Sequence, residues 1–293
     1  MIRAHPISGR DVGVRTNRLG LRGPEVGPKR AGELRVLVLG DSITFADYVD
    51  EAETYPARLE ALLTERRGGR AVTVINAGGP NVGTRDEAAL LAELAPVVRP
   101  DLALVGFYLN DSLGQIPYPD VIHLPTWIGW SRLAQLATRE WAKARHRTRV
   151  GSRYGWTEEF LARRWETDRE AFERVLALAD GDWGAAWHDW AWPAVEEGLT
   201  QMLELGQIHG FRVAVAAFPV SVQVESRFED DRPQQRARAL AARLDLPFLD
   251  LLPVLRAAAD QRLFYDHCHL TPAGNALVAG ALAPFVEEVG ARR

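Results

Sequence analysis

Five short runs of hydrophobic residues are the clearest pattern along this chain. They cover residues 35–39, 71–76, 102–109, 211–218 and 247–251. Runs that are apolar at nearly every position are typical of parallel strands covered on both faces, because strands with one exposed face alternate instead. Stretches with helical spacing of apolar residues lie between and after these runs, near residues 55–66, 85–95, 194–209, 233–243 and 272–289. The alternation predicts a three-layer α/β/α sandwich around a five-stranded, mainly parallel sheet.

Two segments interrupt this alternation. Residues 1–34 are rich in Gly, Pro and Arg and lack hydrophobic periodicity, so we expect an extended N-terminal arm over the surface of a domain that spans residues 35–293. Residues 113–193 form a connection of about eighty residues after the third strand, far longer than an ordinary βα loop. Apolar positions at helical spacing, such as Trp165 and Phe172, predict a helical cap or insertion there.

All nine tryptophans of the chain lie in this insertion, between residues 127 and 192. Trp127, Trp130 and Trp187 are candidates for substrate binding, because indole rings can form an acyl slot, a sugar-stacking platform or an interfacial surface. The alternative is that tryptophans at helical spacing form the core of a small helical subdomain. We expect that alternative for more than half of them.

Composition excludes several classes of protein. The chain has 293 residues, a net charge of −4 and one cysteine, which excludes an internal disulfide framework and argues against nucleic-acid binding by bulk electrostatics. A basic segment at residues 139–153 is interpreted as a solvated helix face rather than a nucleic-acid or anion site. No secretory leader or membrane-spanning run is recognised, so a cytoplasmic location is the default expectation, and compartment and oligomeric state stay open.

Polar residues with catalytic potential follow four of the five predicted strands. Ser42 comes after the first strand, Asn81 lies in a Gly-rich loop after the second, and Asn110 ends the third. Asp266 and His269 follow the fifth. Taken singly, each is explained as a helix cap or turn residue. Because the carboxyl ends of parallel strands meet at one edge of a sheet, their coincidence favours a common active site.

Asp266 and His269 are three residues apart, so one turn can bring the carboxylate against the imidazole. That arrangement orients a histidine for general-base catalysis. Two alternatives remain at this point: His267, Cys268 and His269 could bind a metal, or they could be solvated loop residues. A metal site would need further ligands, and the sequence offers no convincing cluster, so no metal is expected.

With these residues in place, the sequence resembles the SGNH hydrolases, the GDSL-type lipase/esterase superfamily. Gly40-Asp41-Ser42 resembles the first conserved block of that family, Asn110 the third-block asparagine, and Asp266 with His269 the closing Asp-x-x-His. Residues 16–25 and 50–56 resemble stretches that flank block one in a bacterial branch. The resemblance covers residues 16–112 and 194–290 and leaves the Trp-rich insertion unmatched.

The resemblance implies a serine esterase or acylhydrolase that cleaves acyl esters, acetyl esters among them, of a small molecule, lipid or glycan without a cofactor. Ser42, His269 and Asp266 would form the catalytic triad, and Ser42, Asn81 and Asn110 the oxyanion hole. The sequence departs from the family where a second-block glycine is expected, because Asn81 stands there and Gly79 or Gly83 could take its role. An O-acyltransferase with the same triad, or a non-catalytic glycan- or lipid-binding module, remains an alternative.

Overall fold

Five parallel strands form one sheet in the order β2–β1–β3–β4–β5. The computed structural model describes residue 5, residues 7–113, residue 138 and residues 154–291. The strands are β1 Leu34–Gly40, β2 Val72–Gly78, β3 Leu102–Phe107, β4 Arg212–Ala217 and β5 Phe248–Asp250. Each overlaps one of the five predicted runs, and every strand pair in the described part of the chain is parallel, so the predicted fold class is confirmed.

Helices cover both faces of this sheet. In chain order they are α1 Ser42–Phe45, α2 Tyr55–Arg66, α3 Thr84–Val98, α4 Thr157–Leu161, α5 Arg169–Leu178, α6 Trp192–His209, α7 Ser221–Glu225, α8 Arg232–Arg243, α9 Leu252–Arg256 and α10 Pro272–Ala291. The chain runs from β1 outward to β2 and then back across β1 to β3. Since such crossovers are right-handed, the reversal places α2 and α3 on opposite faces. In agreement, α2 packs against α10, and α3 packs against α6.

The reversal of direction between β1 and β3 determines where a ligand can bind. In open parallel sheets, the crevice lies outside the carboxyl ends of the strands at that switch point. The register pairs Gly40 of β1 with Gly78 of β2 on one side and with Gly106 of β3 on the other. The residues that follow these three glycines therefore lie side by side at one edge of the sheet.

The described part of the insertion, residues 154–193, is helical as predicted. It contains α4, α5 and short 3₁₀ turns at Arg164–Glu166, Trp183–Trp187 and Asp189–Ala191. Four of its tryptophans are buried in an aromatic core, namely Trp156, Trp165, Trp183 and Trp187. Trp190 is 59% exposed. Most of the tryptophans in the described residues thus belong to the core of the insertion.

Residues 7–33 of the N-terminal arm form no helix or regular strand, apart from isolated bridges between Thr16 and Arg22 and between Arg22 and Asn76. Among the described residues of the arm, six side chains are buried, those of His5, Val12, Asn17, Leu21, Arg22 and Glu33. The division into an arm and a domain stays a prediction. Among the helices in the described part of the chain, none has the length and apolar character needed to cross a bilayer.

Candidate active site

Three side chains from opposite ends of the chain form a continuous hydrogen-bonded series. The Ser42 Oγ lies 2.9 Å from Nε2 of His269, although 227 positions separate the two residues. On the other side of the ring, Nδ1 of His269 lies 2.8 Å from Oδ2 of Asp266. With Asp266 ionised, Nδ1 carries the proton, and Nε2 is left to accept the hydroxyl proton of Ser42. The geometry therefore suits a nucleophile, a general base and an orienting carboxylate.

The turn that carries Ser42 follows from the close packing at the end of β1. Asp41 caps α1, and its Oδ1 accepts the backbone N–H of Ile43 at 2.8 Å. Gly40 has a φ of 154°, and a Cβ at this position would lie 2.1 Å from Oγ1 of Thr44. Because a side chain would collide with Thr44 and the φ is one that other residues rarely adopt, only glycine fits there. Gly40 thus allows the chain to turn sharply between the strand and the helix. That turn brings the Ser42 hydroxyl to the edge of the sheet.

The Asp266 carboxylate is fixed by its own loop. Its Oδ1 accepts two backbone N–H groups, from Cys268 at 2.9 Å and from His269 at 2.8 Å. The N–H of Tyr265 donates to the His269 carbonyl at 2.8 Å and closes the loop just before α10. With Oδ1 held by the backbone, Oδ2 faces the His269 ring.

The electrostatics of the Asp266–His269 pair match this geometry. Burial raises the pKa of Asp266, but its hydrogen bond to His269, the positive charge of that ring and the backbone donors outweigh burial and lower the pKa below its ordinary value. Burial lowers the pKa of His269, but the bond to Asp266 and the negative charges of Asp266, Asp41 and Asp47 raise it above 6.5. Asp266 thus stays ionised at neutral pH and stabilises an imidazolium.

Asn81 and Asn110, the two asparagines named from the sequence, flank the end of β1. Asn81 follows Gly78 of β2 by three residues, and Asn110 follows Gly106 of β3 by four. Asn81 has a φ of 56°, a conformation that asparagine adopts more readily than other non-glycine residues. The N–H groups of the alternative donors are engaged, because Gly79 donates to the Gly40 carbonyl and Gly83 to Asp86. Which of the three residues supplies the backbone donor stays a prediction.

Asn110 sits in a tight turn that its neighbour Asp111 stabilises. The Asp111 Oδ2 accepts the N–H of Tyr108 at 2.9 Å, and the N–H of Asp111 donates to the Tyr108 carbonyl at 3.0 Å. Burial raises the pKa of the Asp111 carboxyl, and the nearby carboxylates of Glu87 and Asp41 raise it further. One amide hydrogen of Asn110 points to Oδ1 of Asp182, 3.5 Å away, which leaves its second hydrogen for a substrate.

Several side chains around the site carry no sequence signal. The Tyr48 ring stacks on the His269 ring with centroids 4.1 Å apart and an interplanar angle of 21°. From the insertion, the Trp156 ring lies 4.6 Å from the His267 ring, and its Nε1 donates to Asp182 at 3.2 Å. These contacts join residues far apart in the chain, and no spacing or motif predicts them.

In the described part of the chain, Asp266 and His269 of the hydrogen-bonded series also form a possible metal-binding group with Cys268. Donor atoms of Asp266, Cys268 and His269 lie within 4.8 Å of one another. However, Nδ1 of His269 is already bonded to Asp266, and burial raises the pKa of the Cys268 thiol well above its ordinary value. A protonated thiol is a poor ligand. The residues present suit proton transfer better than metal binding.

The three tryptophan candidates for substrate binding have different outcomes. Trp127 and Trp130 lie outside the described residues. Trp187 is 7% exposed, packs edge-on against Trp183 with centroids 5.9 Å apart, and lines a surface cavity of about 340 Å³ together with Phe172 and Asp230. Its role in substrate binding stays a prediction.

Residues 38–277 match the model of the GDSL-like lipase/acylhydrolase family. The fold is similar to that of Axe2, an acetyl-xylooligosaccharide esterase from Geobacillus stearothermophilus, at 14% identity and a TM-score of 0.51, covering 86% of this chain and 94% of that one.

Two further solved structures have the same fold. The acetyl xylan esterase AlAXEase is 15% identical at a TM-score of 0.50, covering 86% of this chain and 100% of that one. A two-domain esterase active on acetylated mannans is 14% identical at a TM-score of 0.52, covering 88% of this chain and 50% of that one. Comparison with curated proteins found no match.

Proposed function

The chain belongs to the GDSL-like lipase/acylhydrolase family and is an ester-hydrolysing enzyme; we propose that it works through a Ser42–His269–Asp266 triad. The observation that carries this proposal is the pair of hydrogen bonds that links the three side chains, at 2.9 Å and 2.8 Å. Both distances lie in the range over which a proton is transferred between side chains. The nucleophile, base and orienting group therefore already stand in the order that acyl transfer requires.

The reaction begins with the attack of the Ser42 oxygen on the ester carbonyl carbon, while Nε2 of His269 accepts the hydroxyl proton. The tetrahedral intermediate then breaks its bond to the alcohol oxygen, which takes the proton back from His269 and leaves. Water then attacks the acyl carbon while His269 accepts its proton. The second tetrahedral intermediate breaks its bond to the Ser42 oxygen, which takes that proton from His269, and the carboxylic acid is released. Throughout, the Asp266 carboxylate holds the imidazole tautomer and stabilises the transient imidazolium.

The oxyanion of the tetrahedral intermediate would be bound by the backbone N–H groups of Ser42 and Asn81 and by the side-chain amide of Asn110. The proposal is supported by the register of the sheet, which aligns the ends of β2 and β3 on either side of β1. The positive φ of Asn81 also supports the proposal, because it changes the direction of the backbone at that turn. Donors fixed in advance stabilise developing charge without reorganising during the reaction.

For the substrate class, we propose acetyl esters on sugar hydroxyls. The support is the set of solved structures with this fold, since Axe2, AlAXEase and the two-domain esterase are named for acetylated oligosaccharides, xylan or mannan.

The experiment measures alcohol release from aryl esters of graded chain length and acetate release from acetylated oligosaccharides, with wild type and Ser42→Ala. We expect Ser42-dependent release, with kcat/KM falling as the acyl chain lengthens beyond acetyl. A kcat/KM that rises with chain length would contradict the acetyl assignment.

Absence of Ser42-dependent release from every ester would contradict catalysis by the triad and favour a binding module. The same reactions are repeated with added sugar acceptors. A rate of acyl transfer to the sugar that exceeds the rate of hydrolysis would favour the acyltransferase. That enzyme differs from the esterase only in the acceptor that reaches acyl-Ser42.

A further inference from the structure

Arg22 of the N-terminal arm is almost fully buried, with 3% of its surface exposed. Its guanidinium donates to three backbone carbonyls: Nη1 to those of Phe45, at 2.5 Å, and Ala46, and Nη2 to that of Val49, at 2.6 Å. Burial lowers the pKa of this guanidinium, and the carboxylates of Asp47, Glu51 and Asp50 offset part of that effect. Arg22 therefore acts as a clamp on the backbone of one short segment, residues 45–49.

That segment continues directly from the helix of the nucleophile. Phe45 is the last residue of α1, the four-residue helix that Ser42 begins, and Ala46 follows it with a φ of 58°. The last carbonyls of a helix have no partners within it. Arg22 supplies partners for those of Phe45 and Ala46, while Nδ2 of Asn76 supplies one for that of Thr44, at 2.7 Å. The backbone bridge between Arg22 and Asn76 ties the clamp to β2.

Tyr48 stands in the middle of the clamped segment, between Ala46 and Val49. Its ring lies against the His269 ring, with centroids 4.1 Å apart. Burial and the nearby Asp266 carboxylate raise the pKa of its hydroxyl. On its other side, the ring of His5 from the arm lies 4.3 Å away. Tyr48 thus contacts the general base, and the arm contacts Tyr48.

We propose that Arg22 and Tyr48 are positioning residues: the arm holds segment 45–49, and through Tyr48 it fixes the plane of the His269 ring so that Nε2 faces Ser42. This proposal rests on the proposed triad. The stacked ring prevents the imidazole from rotating away from Ser42, and its π face stabilises the imidazolium that forms during catalysis. The N-terminal arm is then part of the catalytic unit rather than a cover on its surface.

The test compares four variants of the full chain. Arg22→Lys keeps the charge but has one nitrogen where three carbonyls need donors, Tyr48→Leu removes ring and hydroxyl, and Tyr48→Phe keeps the ring alone. The matched control is Arg18→Lys, on the same arm, because the Arg18 side chain is 85% exposed. Thermal unfolding and titration of active sites with an aryl phosphonate give the folded, competent fraction of each.

We expect Arg22→Lys and Tyr48→Leu to lower kcat per competent site by about tenfold to a hundredfold with KM changed less than twofold, as for misplaced catalytic groups. Tyr48→Phe should lose less, and the control nothing. The imidazole pKa of His269, followed by NMR titration, should fall in Tyr48→Leu. The other charged or titratable groups around His269 stay in place in that variant: Asp266, Cys268, His267, Asp41 and Asp47.

Wild-type kcat and an unchanged His269 pKa in both Arg22→Lys and Tyr48→Leu would overturn the proposal. So would losses of activity that vanish once corrected for the competent fraction. The NMR titration separates this proposal from the proposed function, because it needs no substrate. If wild type hydrolysed no ester while Tyr48→Leu still shifted the His269 pKa, the positioning role would stand and the proposed function would fall.

Discussion

Replacement of Asp266 by asparagine tests the orienting carboxylate with almost no change of shape. In the wild type, Oδ1 accepts the backbone N–H groups of Cys268 and His269, and Oδ2 accepts Nδ1–H of His269. An asparagine has only one acceptor oxygen. If that oxygen keeps the two backbone bonds, its NH₂ group must face Nδ1, and the imidazole proton moves to Nε2. A protonated Nε2 cannot accept the proton of Ser42.

The productive tautomer would require the opposite orientation of the amide, with NH₂ facing the two backbone N–H groups. Leaving those two donors without an acceptor costs about 2–6 kcal/mol. At about 1.4 kcal/mol per factor of ten, this corresponds to a loss of about 30-fold to 10⁴-fold in the active population. The variant also lacks the negative charge that stabilises the imidazolium. We therefore expect kcat of Asp266→Asn to fall by about 10⁴-fold.

The assay is steady-state hydrolysis of an aryl acetate by wild type and Asp266→Asn, with Asp260→Asn, at an exposed position, as the matched control. KM should change little, because the carboxylate faces His269 rather than the ester. Unfolding curves establish that both variants are folded at the assay temperature. A folded Asp266→Asn whose kcat stays within tenfold of wild type would contradict an orienting role for Asp266 and point to a Ser42–His269 dyad.

The pH dependence, the oxyanion hole and the packing beneath Ser42 each give a further test. His269 acts as a base only when neutral, and its pKa is raised, so kcat/KM should rise with pH through a pKa above 6.5. A pH–rate profile whose acidic limb lies below that value would contradict the Asp266–His269 pair. Asn110→Ala should lower kcat by about 10²–10³-fold in the same ester assay, and normal turnover in the folded variant would remove Asn110 from the hole. Gly78→Ala would place a Cβ 2.3 Å from the Phe45 nitrogen, so its free energy of unfolding in denaturant should fall by about 1–3 kcal/mol. Gly280→Ala, the control, has open space around the new Cβ and should lose no stability. Equal stabilities of the two variants would contradict the packing.

The sheet and its helices are predictable from the sequence because local signals and the global fold agree. The run 102–109 is apolar at nearly every position, since β3 is central and covered on both faces, and the observed strand is Leu102–Phe107. Likewise, Thr54 caps α2 with Pro56 in its first turn, and the observed helix begins at Tyr55, as the pattern predicts. Ends differ by a few residues because the last turns depend on contacts rather than on periodicity.

Part of the candidate site is equally predictable from the sequence. Ser42, Asn110 and the Asp266–His269 pair come at strand ends, and the sequence order alone places those ends together in a parallel sheet. The backbone donor after β2 cannot be identified from the sequence in this way, because Asn81, Gly79 and Gly83 are equally suitable candidates within one loop. The folded chain shows a positive φ at Asn81 and hydrogen bonds from the N–H groups of both glycines, and neither feature is visible in the sequence pattern.

The contacts that surround the candidate triad and Asn110 cannot be predicted from the sequence in this way. Arg22 lies in a segment without periodicity, and its three carbonyl partners are backbone atoms that no side-chain pattern marks. Tyr48 stands more than two hundred positions before His269, as Ser42 does, and only the folded chain stacks the rings. Asp182 reaches Asn110 from the insertion in the same manner. Such contacts follow from tertiary packing, which local sequence signals do not encode.

Activation of Ser42 as the nucleophile by His269 and Asp266 is the core of the proposed chemistry. Its most direct test is the intact mass and peptide map of the protein after reaction with an aryl phosphonate, which traps an activated serine as a stable adduct. We expect a single adduct on Ser42, absent from Ser42→Ala and formed far more slowly by His269→Ala. No adduct on the folded wild type, or an adduct on another residue that persists in Ser42→Ala, would contradict it.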